Sequence, residues 1–150
     1  VDYTNNKAKV KIICKEHGVF SQTPIHHIRG SGCPKCKSSR GEKIIRNILE
    51  NKKIKFTEQK KFYTCKNIKE LPFDFYLDDL DVLIEYQGEH HFEPKSNKRM
   101  FGASNVQNAY SKIKHNDQIK LNWCIDNNKQ FVTISYKDID EIEEIISGII

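Results

Sequence analysis

No apolar run in this 150-residue chain approaches the roughly 20 residues that span a bilayer, and no secretory leader is visible. A membrane partner is therefore not expected. Tryptophan and methionine occur once each, as Trp123 and Met100, and apolar residues make up 37% of the chain, enough for one modest core. No internal repeat or low-complexity segment occurs. Disulfide chemistry is also poorly provided for. There are five cysteines, an odd number, and two of them stand at CxxC spacing. That excludes a fully paired secreted framework and argues for a metal in a reducing compartment, hence a cytoplasmic location. The chain opens on Val1 rather than Met, so it is expected to be a fragment of a longer protein, with further N-terminal domains an open possibility.

What is present begins with metal ligands. Cys14-Lys-Glu-His17 is CxxH, and Cys33-Pro-Lys-Cys36 is CxxC. Each two-residue gap lets one tight turn present both ligands to the same ion, and the neighbouring glycines permit the φ > 0 bends that such knuckles use. Three Cys and one His form a closed tetrahedral set, the pattern of a structural zinc site. His26 and His27 offer alternative donors, but their neighbours show no paired spacing. Residues 1–40 are too few to fold on burial alone, so metal binding would supply the folding energy. Cys65 and Cys124 fall outside the set.

Charge is unevenly placed. From Cys33 to Lys61 there are ten Lys or Arg against three Glu, a local balance of +7, whereas Asp138, Asp140, Glu141, Glu143 and Glu144 oppose Lys137 near the end. A basic front and an acidic tail suggest a polyanionic partner, with a solvated Lys-rich surface as the plainer alternative.

Residues 41–150 read as an α/β domain: a mixed sheet of about four strands with flanking helices. Its centre is Leu71 to Phe92, LPFDFYL-DDLDV-LIEYQGEHHF. Strands alternate faces with period two. Phe73, Phe75 and Leu77 then share a face opposite Asp74 and Tyr76, and Leu83, Glu85 and Gln87 share one opposite Val82, Ile84 and Tyr86. With Asp79 and Leu80 as the central turn residues, Asp74 stands opposite Glu85. Directly opposed residues have Cβ atoms roughly 5 Å apart, where like charges destabilise. Mg²⁺ or Mn²⁺ between them would turn repulsion into ligation. Gln87 can orient a water or a phosphate oxygen, and His91, after Gly88, can transfer a proton or contact phosphate.

Two helices bring further acids. One is expected from about Gly41 to Lys52, with Ser39 as cap. It puts Glu42 on the stripe of Ile45 and Leu49, as an accessory acid or as a charge favourable to the helix N-terminus. The other runs from Asn105 to Asn127, where Asp117 interrupts a stripe of Tyr110, Ile113, Leu121 and Cys124, either as a site acid or as partner of Lys120. Further strands are expected at residues 10–14, 53–59 and 131–135, a charged connection at 60–70, a basic loop at 93–104, and an acidic helix at 138–146. The basic connector and loop offer Lys35, Lys37, Arg40, Lys95, Lys98 and Arg99 to phosphates, and Lys120 is a further cation for the same role.

Asp74, followed by Glu85-x-Gln87-Gly88-x-x-His91, resembles the PD-(D/E)xK nuclease superfamily. Within it the likeness is closer to phage and prophage endonucleases related to very short patch repair and EDxHD-type homing endonucleases. Cys14, His17, Gly18, Phe20, Pro24, His27, Gly30, Gly32, Cys33, Pro34 and Cys36 resemble the zinc-ribbon segment that often precedes such cores. Gly41-Glu42 resembles the first-helix acid, and Asp117, Lys120, Cys124 and Ile134-Ser-Tyr136 resemble the later helix and strand. The resemblance implies a restriction-endonuclease-like fold behind a zinc ribbon, in a bacterial or phage-infected cell. It implies a Mg²⁺-dependent endodeoxyribonuclease of homing or restriction type, with DNA as partner and a homodimer as an open assembly. Gln87 stands where the superfamily has Lys and where the very short patch branch has Asp. A nucleic-acid-binding module with an inactive nuclease fold is therefore one alternative, and a junction or repair nuclease another. A structural zinc protein that binds other proteins is a third.

Overall fold

A computed structural model describes residues 5–93 and 106–150. By internal contacts the chain divides into two compact units, residues 1–43 and 44–150.

The first unit is a β-hairpin followed by two short helices. Strand β1 (Val10–Cys14) pairs antiparallel with β2 (Gly18–Gln22), from Val10 opposite Gln22 to Cys14 opposite Gly18. The sequence reading anticipated only β1. Strand β2 is short and mostly exposed, so it carries no strong alternation, and the knuckle at Cys14–His17 doubles as its hairpin turn. Gly18 holds φ at +71° directly after His17, and Gly32 at +56° directly before Cys33, so glycine frees the backbone beside one ligand of each pair. Helices α1 (Pro24–Ile28) and α2 (Pro34–Lys37) both begin on proline, whose fixed φ suits a first helical turn.

Helix α3 (Arg40–Asn51) spans the division between the units. It starts in a capping box: Glu42 N–H donates to Ser39 Oγ (3.2 Å), and Ser39 N–H donates to Glu42 Oε1 (3.1 Å). It stops where Lys53 turns left-handed (φ 57°) and Ile54 N–H reaches back to Leu49 O, 2.9 Å away.

The second unit is a mixed α/β structure. Its four-stranded sheet has the order β3-β4-β5-β6: β3 (Phe56–Lys66), β4 (Glu70–Leu77), β5 (Val82–Gln87) and β6 (Gln130–Ser135). The first two pairings are antiparallel and β5–β6 is parallel. Parallel neighbours need a crossover, and helix α4 (Val106–Asp126) lies within it. Helix α5 (Ile142–Ser147) closes the chain. One sheet face packs Phe75, Leu77, Val82, Ile84 and Ile134 against Ile45 and Leu49 of α3 and Ile142 and Ile146 of α5. The other packs Phe73, Leu83 and Cys65 against Cys124 and Trp123 of α4. No helix among the described residues is long and apolar enough to cross a membrane.

Several expectations are corrected. Strand β3 continues to Lys66 through the segment expected as a connection, because Phe62 and Cys65 pack against the α4 side while Lys61, Tyr63 and Lys66 stay exposed on an edge strand. Phe73 does not share the face of Phe75; it belongs to the α4-side cluster. The β4–β5 ladder runs only as far as Phe75 opposite Ile84, which frees β4 to turn there. On α4, Leu121 is 42% exposed, whereas Lys120 is buried at 7%. The inward stripe therefore passes through Lys120, a residue that hydrophobic patterning places outside. The terminal helix begins only at Ile142, after a 3-10 turn at Tyr136–Asp138.

Candidate functional site

In the first unit, Cys14, His17, Cys33 and Cys36 bring their donor atoms within 4.8 Å of one another. His17 Nδ1 lies 3.7 Å from Cys14 Sγ, 3.9 Å from Cys33 Sγ and 3.2 Å from Cys36 Sγ, and the sulfurs of Cys14 and Cys36 are 3.6 Å apart. Zinc, with Zn–S about 2.3 Å and Zn–N about 2.0 Å, holds tetrahedral donors about 3.6 to 3.8 Å apart. The four residues therefore fit a zinc ion. Electrostatics point the same way. Cys14 is lowered to about 6, first by the Glu16 backbone and then by His17, while Cys36 is pushed up to about 12, first by the Cys14 sulfur. Packed this closely, the thiols resist shedding all their protons without a cation among them. His26 and His27 stand apart: His26 Nδ1 is 2.7 Å from Thr23 Oγ1, and His27 lies against Phe20.

In the second unit the β4–β5 register pairs Phe75 with Ile84, Tyr76 with Leu83 and Leu77 with Val82, which is the expected register, and Asp74 and Glu85 are the next residues beyond its last pair. The two carboxylates bind one another's strands. Asp74 N–H points to Glu85 Oε2 at 3.4 Å, and Tyr86 N–H donates to Asp74 Oδ2 at 2.9 Å. Gln59, held left-handed at φ 52°, donates from Nε2 to Asp74 Oδ1 at 3.1 Å. Glu85 is 7% exposed. Burial, and after it the Asp74 charge, pushes its carboxyl up to about 7, although Lys120 works in the other direction. Lys120 Nζ sits 2.5 Å from Glu85 Oε1 and 5.3 Å from the centre of the Phe73 ring.

Helix α4 serves this region twice within one turn. Three residues before Lys120, Asp117 Oδ2 lies 2.9 Å from His91 Nδ1, both side chains being largely covered. His91 ends a 3-10 turn, Glu89–His91, that follows Gly88. A Cβ on Gly88 would come to 3.0 Å from the His90 ring, so a larger residue there would have to push that side chain aside. Gln87 and Asp117 line a groove of about 280 Å³ together with Lys114, Gln118 and Thr133.

The structure thus joins Glu85 to Asp74 and Lys120, and His91 to Asp117, with Gln87 beside Asp117. Asp117 meets His91 rather than the Lys120 partner weighed from the sequence. Lys120, expected on a phosphate-facing surface, is buried on Glu85, because only an opposing carboxylate makes a cation tolerable there. Glu42 belongs to the other unit, where its carboxylate caps α3. Of the expected phosphate contacts, Arg40 and Lys37 are exposed in the first unit, Lys37 Nζ reaching Gly30 O at 2.6 Å, while Lys35 is half-buried. Lys95, Lys98, Arg99 and the rest of the expected basic loop from Pro94 on lie outside the described residues. Gln59 and Lys114 were not singled out from sequence. Gln59 is found only through the β3–β4 register, which sets it across from Asp74.

One family model matches, over residues 1–37, and it is described as "Protein of unknown function (DUF723)". That stretch carries all four zinc-type ligands and none of the carboxylate region. No curated protein and no solved structure matches this chain.

Proposed function

We propose that the chain is a metal-dependent DNA endonuclease of the PD-(D/E)xK kind, its zinc-ribbon module preceding a restriction-like core. The observation that carries this reading is the meeting of Asp74 and Glu85 just beyond the β4–β5 ladder, each carboxylate taking an N–H of the other's strand, with one turn of α4 supplying Lys120 to Glu85 and Asp117 to His91. Two carboxylates suit a hard divalent cation. Burial first, and then the Asp74 charge, raise the Glu85 carboxyl, and a cation at this place would favour its ionised form.

Asp74 and Glu85 would hold Mg²⁺ or Mn²⁺. The ion supplies Lewis acidity and lowers the pKa of a bound water. The chain's own groups do the rest. Tyr86 N–H and Gln59 fix the Asp74 carboxylate. Lys120, from α4, brings the positive charge that Gln87 lacks and holds Glu85 in one rotamer. Asp117 takes the Nδ1–H of His91, which leaves Nε2 to accept a proton from water or return one to the leaving oxygen. The Gln87 amide orients a water or a phosphate oxygen. Lys37 and Arg40 would grip phosphates without reading sequence.

Plasmid cleavage with Mg²⁺ or Mn²⁺ tests this. Wild type should nick or linearise, Asp74→Asn and Glu85→Gln should not, and activity surviving in Glu85→Gln would remove the site assignment. A second reading, a DNA-binding module with an inactive nuclease fold, is favoured by the tight Lys120–Glu85 pair together with Gln87. It predicts duplex binding by wild type with no cleavage in either metal. A branched-substrate preference would instead mark a junction or repair nuclease.

A further inference from the structure

The ribbon formed by β3 and β4 carries a surface that the proposed site does not use. Exposed apolar side chains are ordinary when scattered among neutral neighbours. Here Ile68 is 86% exposed at the tip of a two-stranded ribbon, and Tyr63 is 76% exposed behind it. Between residues 60 and 71 stand Lys60, Lys61, Lys66 and Lys69 against the single acid Glu70. The ammonium of Lys66 lies 4.6 Å from the centre of the Tyr63 ring.

The tip is also held in place. Asn67 Nδ2 donates to Asn116 Oδ1 of α4 at 3.1 Å, and Asn67 N–H donates to Lys69 O at 3.2 Å. Between tip and helix lies a concavity of about 300 Å³, where Ile68 and Leu71 meet the two asparagines, Lys69 and Lys112, with no carboxylate in its wall. A pre-formed cationic ridge with an apolar point and amide donors has the chemistry of a duplex-groove contact. Proteins that bend DNA from the minor groove insert Ile, Leu or Phe between base steps, and set Lys, Asn or Gln beside the wedge.

We propose that the β3–β4 tip is a second duplex-DNA contact, with Ile68 as the wedge and Lys66, Lys69 and Lys112 as the phosphate anchors. The inference rests on the DNA reading above and adds where the duplex is engaged away from the cut. Ile68 lies in the turn before β4, whose stretch from Glu70 to Asp74 spans about 13 Å at roughly 3.3 Å per residue.

The test uses the full zinc-loaded chain and short duplexes carrying 2-aminopurine at successive steps, with binding followed across a salt series without Mg²⁺ or Mn²⁺. Wild type should raise 2-aminopurine emission at one step, and Ile68→Ser should abolish that rise. The triple variant Lys66→Gln, Lys69→Gln, Lys112→Gln should lower the slope of log affinity against log salt by about 2.7, about 0.9 per lost contact. All substituted side chains are exposed, so thermal unfolding should match wild type. An unchanged slope in the triple variant, or an unchanged emission rise in Ile68→Ser, overturns the wedge even where wild type cleaves plasmid. A lost slope and a lost emission rise in a chain that never cleaves would uphold the contact and remove the nuclease reading instead.

Discussion

The two units of this chain are held together by different physics. Between residues 5 and 40, Cys33 alone among the described residues is buried, while Ile13, Val19 and Ile28 are 62% or more exposed. Between residues 44 and 150 two apolar clusters line the two faces of one sheet, and Phe73, Phe75, Leu77, Ile84 and Ile134 are at most 1% exposed. The first unit gathers four donor atoms that could hold a metal ion, whereas the second buries many apolar side chains. They should therefore fail in different ways.

Removing zinc is the largest lever on that contrast. Structural zinc sites in small modules bind with about 10 to 16 kcal/mol, and the first unit has no core to fall back on. Chelation, or Cys33→Ser, should collapse the amide dispersion of residues 10–37 while the signals of β3–β6 persist. The measurement is a pair of amide NMR spectra with zinc stoichiometry. Residues 10–37 still dispersed after zinc has left would mean that burial, not ligation, holds the first unit. In the opposite direction, Phe75→Ala should cost about 3 to 5 kcal/mol of the second unit's stability. Denaturant melts would show the loss, and bound zinc should stay at one equivalent.

The same contrast explains what could be read from the sequence. The four ligands were legible because each CxxH or CxxC gap fixes geometry locally, within one turn. The β4–β5 register was legible because Val82 to Gln87 and Phe75 to Leu77 alternate around a four-residue turn. Long-range electrostatics was not legible. Lys120 is inward only because Glu85 waits 35 positions away, and patterning rules expect a lysine to face solvent. Phe73 changes sides because β4 leaves the β5 ladder beyond Phe75, a break that a period-two reading cannot see. Strand β3 outran its expected end because its lysines hid the packing of Phe62 and Cys65.

A smaller effect separates the units by pH. In the metal-free fold Glu85 sits at about 7, raised from an ordinary 4.5 by burial and by Asp74. The folded state thus holds a proton that the unfolded state has lost between those values. This contribution is fully present below about 4.5 and disappears as pH rises through about 7, on the order of 3 kcal/mol. Denaturant melts of the zinc-loaded chain without Mg²⁺ should show stability falling over that window. Asp74→Asn should lessen the fall, leaving the part that burial causes, and millimolar Mg²⁺ should cancel it. A fall that Mg²⁺ leaves untouched would argue against a cation between the two carboxylates.

The smallest expected effect falls where the two units meet in sequence. Glu42 was expected either as an accessory acid of the cleavage site or as a charge at a helix start, and its carboxylate accepts the Ser39 N–H at 3.1 Å. A capping box works with Gln as well as Glu, because either side chain offers the accepting oxygen. If capping is the whole role, Glu42→Gln should melt within a few tenths of a kcal/mol of wild type and cleave plasmid at the wild-type rate. Glu42→Ala should then lose about 1 kcal/mol of stability and no more than a trace of activity at a temperature where both fold. If the carboxylate serves the chemistry, Gln keeps the cap but loses the charge, so Glu42→Gln would melt normally and cleave poorly. Cleavage rate and melting point measured on this one pair of variants therefore assign Glu42 to the start of α3 or to the carboxylates of the sheet.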